Sequence, residues 1–317
     1  MIRRDPTKVP RPHLPKRRLP RSRLPRSRLP KRRLPKRRLP RSCLPRSRLP
    51  RSRRPKSSPR APEFVVEFEA QGRVAVLTIN RPEARNAVNG DVAQSMEAGI
   101  DRLEDDPDLW AGVVAGAGPV FSAGADLKVI ASGRPQDLLT ERGGFAGIAR
   151  RERRKPLVAA VDGPALAGGC EIALACDLIV ASRQAAFGLP EVKRSLVAAA
   201  GGLFRLPRAL PRNVALEIAL TGDPIDAERA YNLGLVNELV EPGEALDKAL
   251  ALAERICANA PLAVWATRRV VLGSAGEGDD VGWRLTDEAF AEIVRSEDFA
   301  EGPRAFVEKR APEWKGR

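Results

Sequence analysis

Asp162-Gly163-Pro164-Ala165-Leu166-Ala167-Gly168-Gly169-Cys170-Glu171, continuing as Ile172-Ala173-Leu174-Ala175-Cys176-Asp177, holds the least ordinary pattern in this chain. Glycines leading into an apolar run leave unpaired N–H groups at the positive end of a helix. Such an end can stabilise a developing oxyanion. Glu171 falls in the first turn of that helix, which is apolar on nearly every face and therefore expected inside. A buried carboxylate is costly unless it is paired or protonated. A buried arginine, a capping role or a part in proton transfer would each account for it, and the stretch alone leaves these open.

The flanks read as strands: Val158–Val161 before it, Leu178–Ala181 and Ala186–Gly188 after it. The last runs into Phe187-Gly188-Leu189-Pro190-Glu191, where Glu191 taken alone reads as an exposed acid at a helix start. Upstream, Phe121-Ser122-Ala123-Gly124-Ala125-Asp126-Leu127-Lys128 lets the backbone approach a ligand closely and aim an N–H at it. A simple turn would use the same residues. It is not a phosphate loop, because Gly-Lys-Ser/Thr is missing, and it lacks the three spaced glycines of a dinucleotide site.

Further out, Phe64–Glu69 and Arg73–Ile79 alternate apolar and polar residues around Gln71-Gly72, which predicts a hairpin. Val92, Met96, Ile100 and Leu103 recur at helical spacing across 89–103, with Asn89 or Asp91 placed as the cap. Trp110–Ala115 is a short buried strand ending at Gly116-Ala117-Gly118-Pro119. Helices are expected at about 212–220, 226–233, 244–258, 261–273 and 281–296. Strands alternating with helices, then helices alone, indicate an α/β core with a helical C-terminal part.

The chain has 317 residues and a formal charge of +15, which misleads about the globule. Residues 1–60 hold 25 of the 55 Lys and Arg but only one of the 40 acids, leaving the remainder net acidic. From about Leu14 to Pro55 a five-residue pattern, Leu-Pro-(Arg/Lys)-(Ser/Arg)-Arg, repeats with departures such as Cys43. Recurrent proline and like charge forbid a packed helix, so this tail is expected to be disordered with polyproline-like geometry. It reads as an upstream repeat translated from a misplaced start, as an arm for polyanions, or, least well, as a targeting peptide.

The only histidine, His13, lies in that tail. The globule therefore cannot run Ser-His-Asp or Cys-His chemistry, and proton transfer falls to carboxylates, Lys, Tyr or Cys. Cys43, Cys170, Cys176 and Cys257 form no CxxC pair and no metal-ligand cluster. No metal site is expected, and free buried thiols fit a reducing, cytoplasmic setting. The most apolar stretch, Val158 to Ala181, is broken by Asp162, Glu171 and Asp177, so no membrane span is expected.

Taken together and in this order, the three motifs resemble the enoyl-CoA hydratase/isomerase (crotonase) family. Asn80-Arg81-Pro82-Glu83-Ala84-Arg85-Asn86-Ala87 resembles its opening signature, and Leu220-Thr221-Gly222 with Leu233-Gly234-Leu235-Val236-Asn237 a later one. Glu301-Gly302 through Ala305-Phe306-Val307-Glu308-Lys309-Arg310 is similar to its C-terminal helix. The resemblance implies a crotonase (ClpP-like) spiral of ββα repeats at 62–254 and a helical trimerisation region at 255–317, behind a basic tail at 1–61. It implies a homotrimer or a dimer of trimers. Glu171 and Glu191 would be the acid–base pair, and the N–H groups of Ala125 and Gly168 the oxyanion hole. Ala125, Asp126, Leu127 and Lys128 would lie along the CoA, with Phe306 and Lys309 completing its site from a neighbouring subunit and Arg85 nearby. The implied activity is addition or removal of water across C2–C3 of an acyl-CoA thioester, with no cofactor beyond the substrate's own CoA.

Two rival readings are a Δ3–Δ2-enoyl-CoA isomerase of the same fold and a crotonase-fold protein whose tail binds nucleic acid. After Glu191 the chain departs from the common Leu-Gly-x-x-Pro pattern, with Ala198 and Ala199 where that proline would stand. This segment, Ser296-Glu297-Asp298 and the ending Trp314-Lys315-Gly316-Arg317 resemble the carnitinyl-CoA dehydratase subgroup. That moves the expected acyl group toward branched or polar short chains.

Overall fold

The computed structural model describes residues 65–317; the expectations for the basic tail, His13 and Cys43 lie outside the described residues. Eleven strands and ten α-helices follow one another in the described chain. The first part runs β1 (Val66–Gln71), β2 (Val74–Ile79), α1 (Gly90–Asp105), β3 (Ala111–Gly116), α2 (Leu127–Ala131), β4 (Leu139–Thr140), β5 (Gly144–Phe145) and β6 (Leu157–Val161). The middle runs β7 (Ala165–Leu166), α3 (Gly168–Ala175), β8 (Leu178–Ser182), β9 (Ala186–Gly188), α4 (Gly202–Ala209), α5 (Arg212–Thr221) and β10 (Ile225–Asp226). It closes with α6 (Ala227–Asn232), β11 (Glu238–Val240), α7 (Ala245–Cys257), α8 (Pro261–Ser274), α9 (Asp279–Ile293) and α10 (Glu297–Glu308).

The expected hairpin forms as β1 and β2, antiparallel, with Gly72 at φ 58° in the turn. Beyond it the pairing is parallel, and the main sheet has the order β1-β2-β3-β6-β8-β11. Parallel strands covered on both faces read as continuous apolar runs, as Leu157–Val161 does, buried at every position. On one face lies α1, whose Val92, Met96, Ile100 and Leu103 are fully buried, as their spacing predicts. Asn89 caps it by accepting from the Val92 N–H at 3.0 Å. The other face is covered by α7, whose Ala249 and Ala253 let its backbone approach the strands.

A second, smaller sheet, β10-β9-β7, sits beside the first. Isolated bridges tie Ser122 to Ala165 and Val88 to Ala125. Ser122, Ala165, Phe187 and Ile225 thus form one row, each from a successive turn of the chain. This stacking of turns sets the two sequence motifs at 121–128 and 162–171 directly against each other.

Several expectations shift at the ends. The helix expected at 226–233 begins after Asp226, whose carboxylate caps it by accepting from the Arg229 N–H at 2.7 Å. The helix expected at 281–296 stops at Ile293, because the Ser296 hydroxyl accepts from the Phe299 N–H and starts α10. No sequence pattern announced α4, which contains Pro207, or the two-residue strands. Among the described residues, no helix is long and apolar enough to cross a membrane.

Candidate active site

The site begins with a close approach of two backbones. At Gly124, φ is +83°, and an added Cβ would lie 2.6 Å from the Gly168 nitrogen. Only glycine adopts that conformation cheaply, and only glycine leaves room there for the N-terminus of α3. Ala167, just before the helix, sits at φ 53° and ψ −129°, a strained conformation for a residue with a Cβ. That ψ sets the plane of the Ala167–Gly168 peptide and hence the direction of the Gly168 N–H. Gly168 is the first residue of α3, so its N–H has no acceptor within the helix. Both Ala125 and Gly168 line one cavity of about 490 Å³.

Glu171 enters the same cavity from the first turn of α3 and is only 3% exposed. Among the described residues no arginine forms an ion pair with its side chain, which instead takes backbone donors, one of them at a helix start. Its Oε1 accepts from the backbone N–H groups of Ala200 at 2.7 Å and Gly202 at 2.9 Å. The second donor belongs to the N-terminus of α4. Burial pushes the Glu171 carboxyl up to about 7, and the Glu191 charge adds to the rise. The two N–H donors and Arg205 work in the opposite direction.

Glu191 follows Pro190 in a single 3-10 turn, Pro190–Arg194, which points it into the cavity rather than along a solvated helix. Its pKa is raised by burial, with Arg194 opposing. Its Oε2 is buried and has no hydrogen-bond partner among the described residues. A buried carboxylate oxygen left unpaired calls for a functional account. Two carboxylates with raised pKa values therefore face one largely apolar space. Cys170, between Gly169 and Glu171, is pushed far up by complete burial and is not a nucleophile.

Of the other residues singled out in the sequence, Ala125, Asp126, Leu127 and Arg85 line the cavity. The Asp126 carboxylate is committed to structure: it caps α2 through the Lys128 N–H at 3.0 Å and faces Arg81 at 3.4 Å. Lys128 is exposed and outside the cavity lining. Phe306, 85% exposed on α10, and Lys309, its left-handed C-cap at φ 55°, also lie outside that lining.

The sequence reading missed the segment 138–149 and the clamp at 200–205. Leu138, Leu139 and Phe145 form one wall. Phe145 is packed so tightly against α3 that a Cβ on Gly168 would lie 2.4 Å from its Cζ. Gly143-Gly144 and Gly147, with a lone aromatic between, were the available signal. Arg205 donates to the carbonyls of Ala149 at 2.7 Å and Ala200 at 3.2 Å, joining that wall to the clamp. Tyr231, 45% exposed, takes no part in the lining. Among the described residues no three His, Cys, Asp or Glu groups could jointly hold a metal ion.

The family model for enoyl-CoA hydratase/isomerase matches residues 69–317. An enoyl-CoA hydratase of Mycobacterium tuberculosis is 40% identical over 256 residues, covering 78% of this chain and 96% of the relative. A carnitinyl-CoA dehydratase of Proteus mirabilis is 38% identical over 253 residues, covering 78% of this chain and 97% of the relative. Among solved structures, an enoyl-CoA hydratase of Mycobacterium tuberculosis superposes with a TM-score of 0.77 at 49% identity, covering 80% of this chain and all of the other. A carnitinyl-CoA hydratase of Mycobacterium avium superposes at 0.63 with 48% identity and the same coverage. The stacked turns, the paired glutamates and these matches lead to one statement: the chain belongs to the enoyl-CoA hydratase/isomerase family and has the crotonase fold.

Proposed function

We propose that the chain adds water across the C2–C3 double bond of an enoyl-CoA thioester, and removes it in the reverse direction, with Glu171 and Glu191 as the acid–base pair. The observation that carries this is their convergence, both with raised pKa, on the cavity that Ala125 and Gly168 also line. In this reading the thioester oxygen sits between the Ala125 and Gly168 N–H groups. One such donor on a developing enolate oxygen contributes about 3–4 kcal/mol. Without it a carboxylate is far too weak to manage a proton next to the carbonyl.

The roles divide by geometry. Glu171 Oε1 is occupied by two backbone donors. Its remaining oxygen is thus the one to take a proton from water as that water attacks C3. Glu191, with an oxygen that has no partner among the described residues, delivers a proton to C2. Neighbouring carboxylates share protons as a pair, so one can be acid while the other is base. An isomerase needs one carboxylate; two in the same space favour the hydratase. The chemistry calls on no group beyond the substrate's own CoA. Leu127 at the cavity rim marks the side from which the CoA would enter. We place Phe306 and Lys309 at the CoA site of a neighbouring subunit in a trimer, since neither reaches the cavity of its own chain.

The test is hydration of trans-2-enoyl-CoA, followed by loss of the conjugated-thioester absorbance. Glu171→Gln and Glu191→Gln should each lower kcat by at least about 1000-fold while CoA-ester binding persists. Full activity in either variant sinks the mechanism.

A further inference from the structure

Beside the cavity that holds both glutamates lies a second one, of about 480 Å³. The two share Glu191 and Val197 as a common wall. Val197 is 67% exposed, so its side chain is not packed in place. The second space lies between the 3-10 turn, α4 and α5, with Leu189, Leu206 and Ala215 at its buried side and Leu203, Leu216 and Leu220 at its solvent-exposed side. Among the described residues its only charged lining groups are Glu191 itself and Arg212. A group attached beyond C3 of a bound enoyl chain would pass Glu191 and enter this space.

Resting on the hydratase reading, we propose that the acyl group is an uncharged hydrocarbon that extends into this second cavity. We further propose that the site discriminates against a trimethylammonium-bearing acyl group, although relatives include carnitinyl-CoA dehydratases. A quaternary ammonium has no N–H to donate, so it is recognised by aromatic faces or by unspent carboxylates. Among the described residues, Phe145 is the only aromatic lining either space. The basic groups on the two linings are Arg85, Arg194 and Arg212, all exposed at the rim and of the same sign as the ligand. Three carboxylates remain. Asp126 is held by Arg81 and caps α2. Glu171 and Glu191 are the proton carriers, and a fixed cation beside Glu191 would hold it ionised when its task needs it protonated. The cavity wall therefore favours methylenes and penalises charge.

The full chain should be assayed with crotonyl-CoA, trans-2-decenoyl-CoA, crotonobetainyl-CoA and 5,5-dimethylhex-2-enoyl-CoA. The last has the shape of crotonobetainyl-CoA with carbon in place of the charged nitrogen. The expected result is a kcat/KM at least about tenfold higher for the ten-carbon than for the four-carbon substrate, since each buried methylene is worth up to about fourfold. Crotonobetainyl-CoA should fall at least about tenfold below its neutral isostere. Ala219→Trp, which fills the second cavity, should reduce the decenoyl-to-crotonyl ratio by at least about tenfold. An unchanged ratio in that variant, or a charged substrate equal to or better than its isostere, overturns the proposal.

Equilibrium binding of decanoyl-CoA, butyryl-CoA and γ-butyrobetainyl-CoA separates this inference from the reaction. If no substrate turns over but decanoyl-CoA binds best and the charged ester worst, the hydratase reading fails and the acyl assignment stands. The opposite binding order overturns the acyl assignment whatever the turnover.

Discussion

At Glu171 a single carboxyl is placed where ionisation is expensive. A rise from 4.5 to about 7 corresponds to roughly 3 kcal/mol of penalty on the charged form, at about 1.4 kcal/mol per pH unit. The sign follows from linkage: the folded state binds this proton more tightly than the unfolded chain, so folding loses stability as pH rises from 4.5 through 7. Glu171→Gln keeps an oxygen for the Ala200 and Gly202 N–H groups and removes the charge. It should raise stability by about 1–3 kcal/mol at pH 8 and by much less at pH 5. Denaturant unfolding at the two pH values measures it. A loss of stability at pH 8 would mean that the clamp needs the anion and that desolvation is not the larger effect. The same titration governs rate. In the mechanism we propose, Glu171 must be ionised to take the proton from water, so kcat/KM for an enoyl-CoA should fall as pH drops through about 7.

The clamp on Glu171 belongs to α4 as an element. Gly202 at its first position gives one donor, and Arg205, one turn on, holds the Ala149 and Ala200 carbonyls together. Arg205 is itself half-buried, and burial lowers its pKa while Glu171 raises it. Arg205→Gln removes a positive charge that favours ionised Glu171, so the acid limb of the rate profile should move to higher pH. Arg205→Lys should restore most of the limb, because charge returns, while leaving the Ala149 wall loose and KM raised. A limb unmoved in both variants would reduce Arg205 to packing.

None of this was readable in Ala200-Gly201-Gly202-Leu203-Phe204-Arg205, because backbone donors carry no side-chain signature and Pro207 argues against a helix. By contrast α1 and the β1–β2 hairpin were legible, since one face of each is buried and the period shows. The two-residue strands β4, β5, β7 and β10 are too short to have a period at all. Glu171 and Glu191 were legible only jointly. Each has an ordinary explanation alone, and only the stacking of turns puts them in one space.

On the scale of the whole molecule, the C-terminal helices carry an imbalance. Trp283, Phe290, Phe306 and Val307 are 68%, 64%, 85% and 79% exposed, while the end of the chain is tightly fastened. Glu301 accepts from Arg310 at 2.6 Å and from the Glu313 N–H at 2.8 Å, and Asp298 accepts from the Lys315 and Gly316 N–H groups. A segment held so firmly has no need of these exposed apolar side chains for its own stability, which leaves them available for contact with another subunit. In the trimer we propose, Phe306 of one subunit would complete the CoA site of the next. That arrangement predicts complementation. A Phe306→Ala subunit keeps both glutamates but withholds the aromatic ring from its neighbour, so its homotrimer should show a KM for enoyl-CoA raised at least about tenfold. A Glu171→Gln subunit should be inactive but still offers Phe306. Unfolded together and reassembled, the two should form mixed trimers in which an intact glutamate pair meets an intact Phe306, and low-KM activity should appear that neither parent has. Sedimentation confirms that trimers formed. If the mixture yields only the sum of its parents, Phe306 serves its own chain or none, and the shared site is wrong.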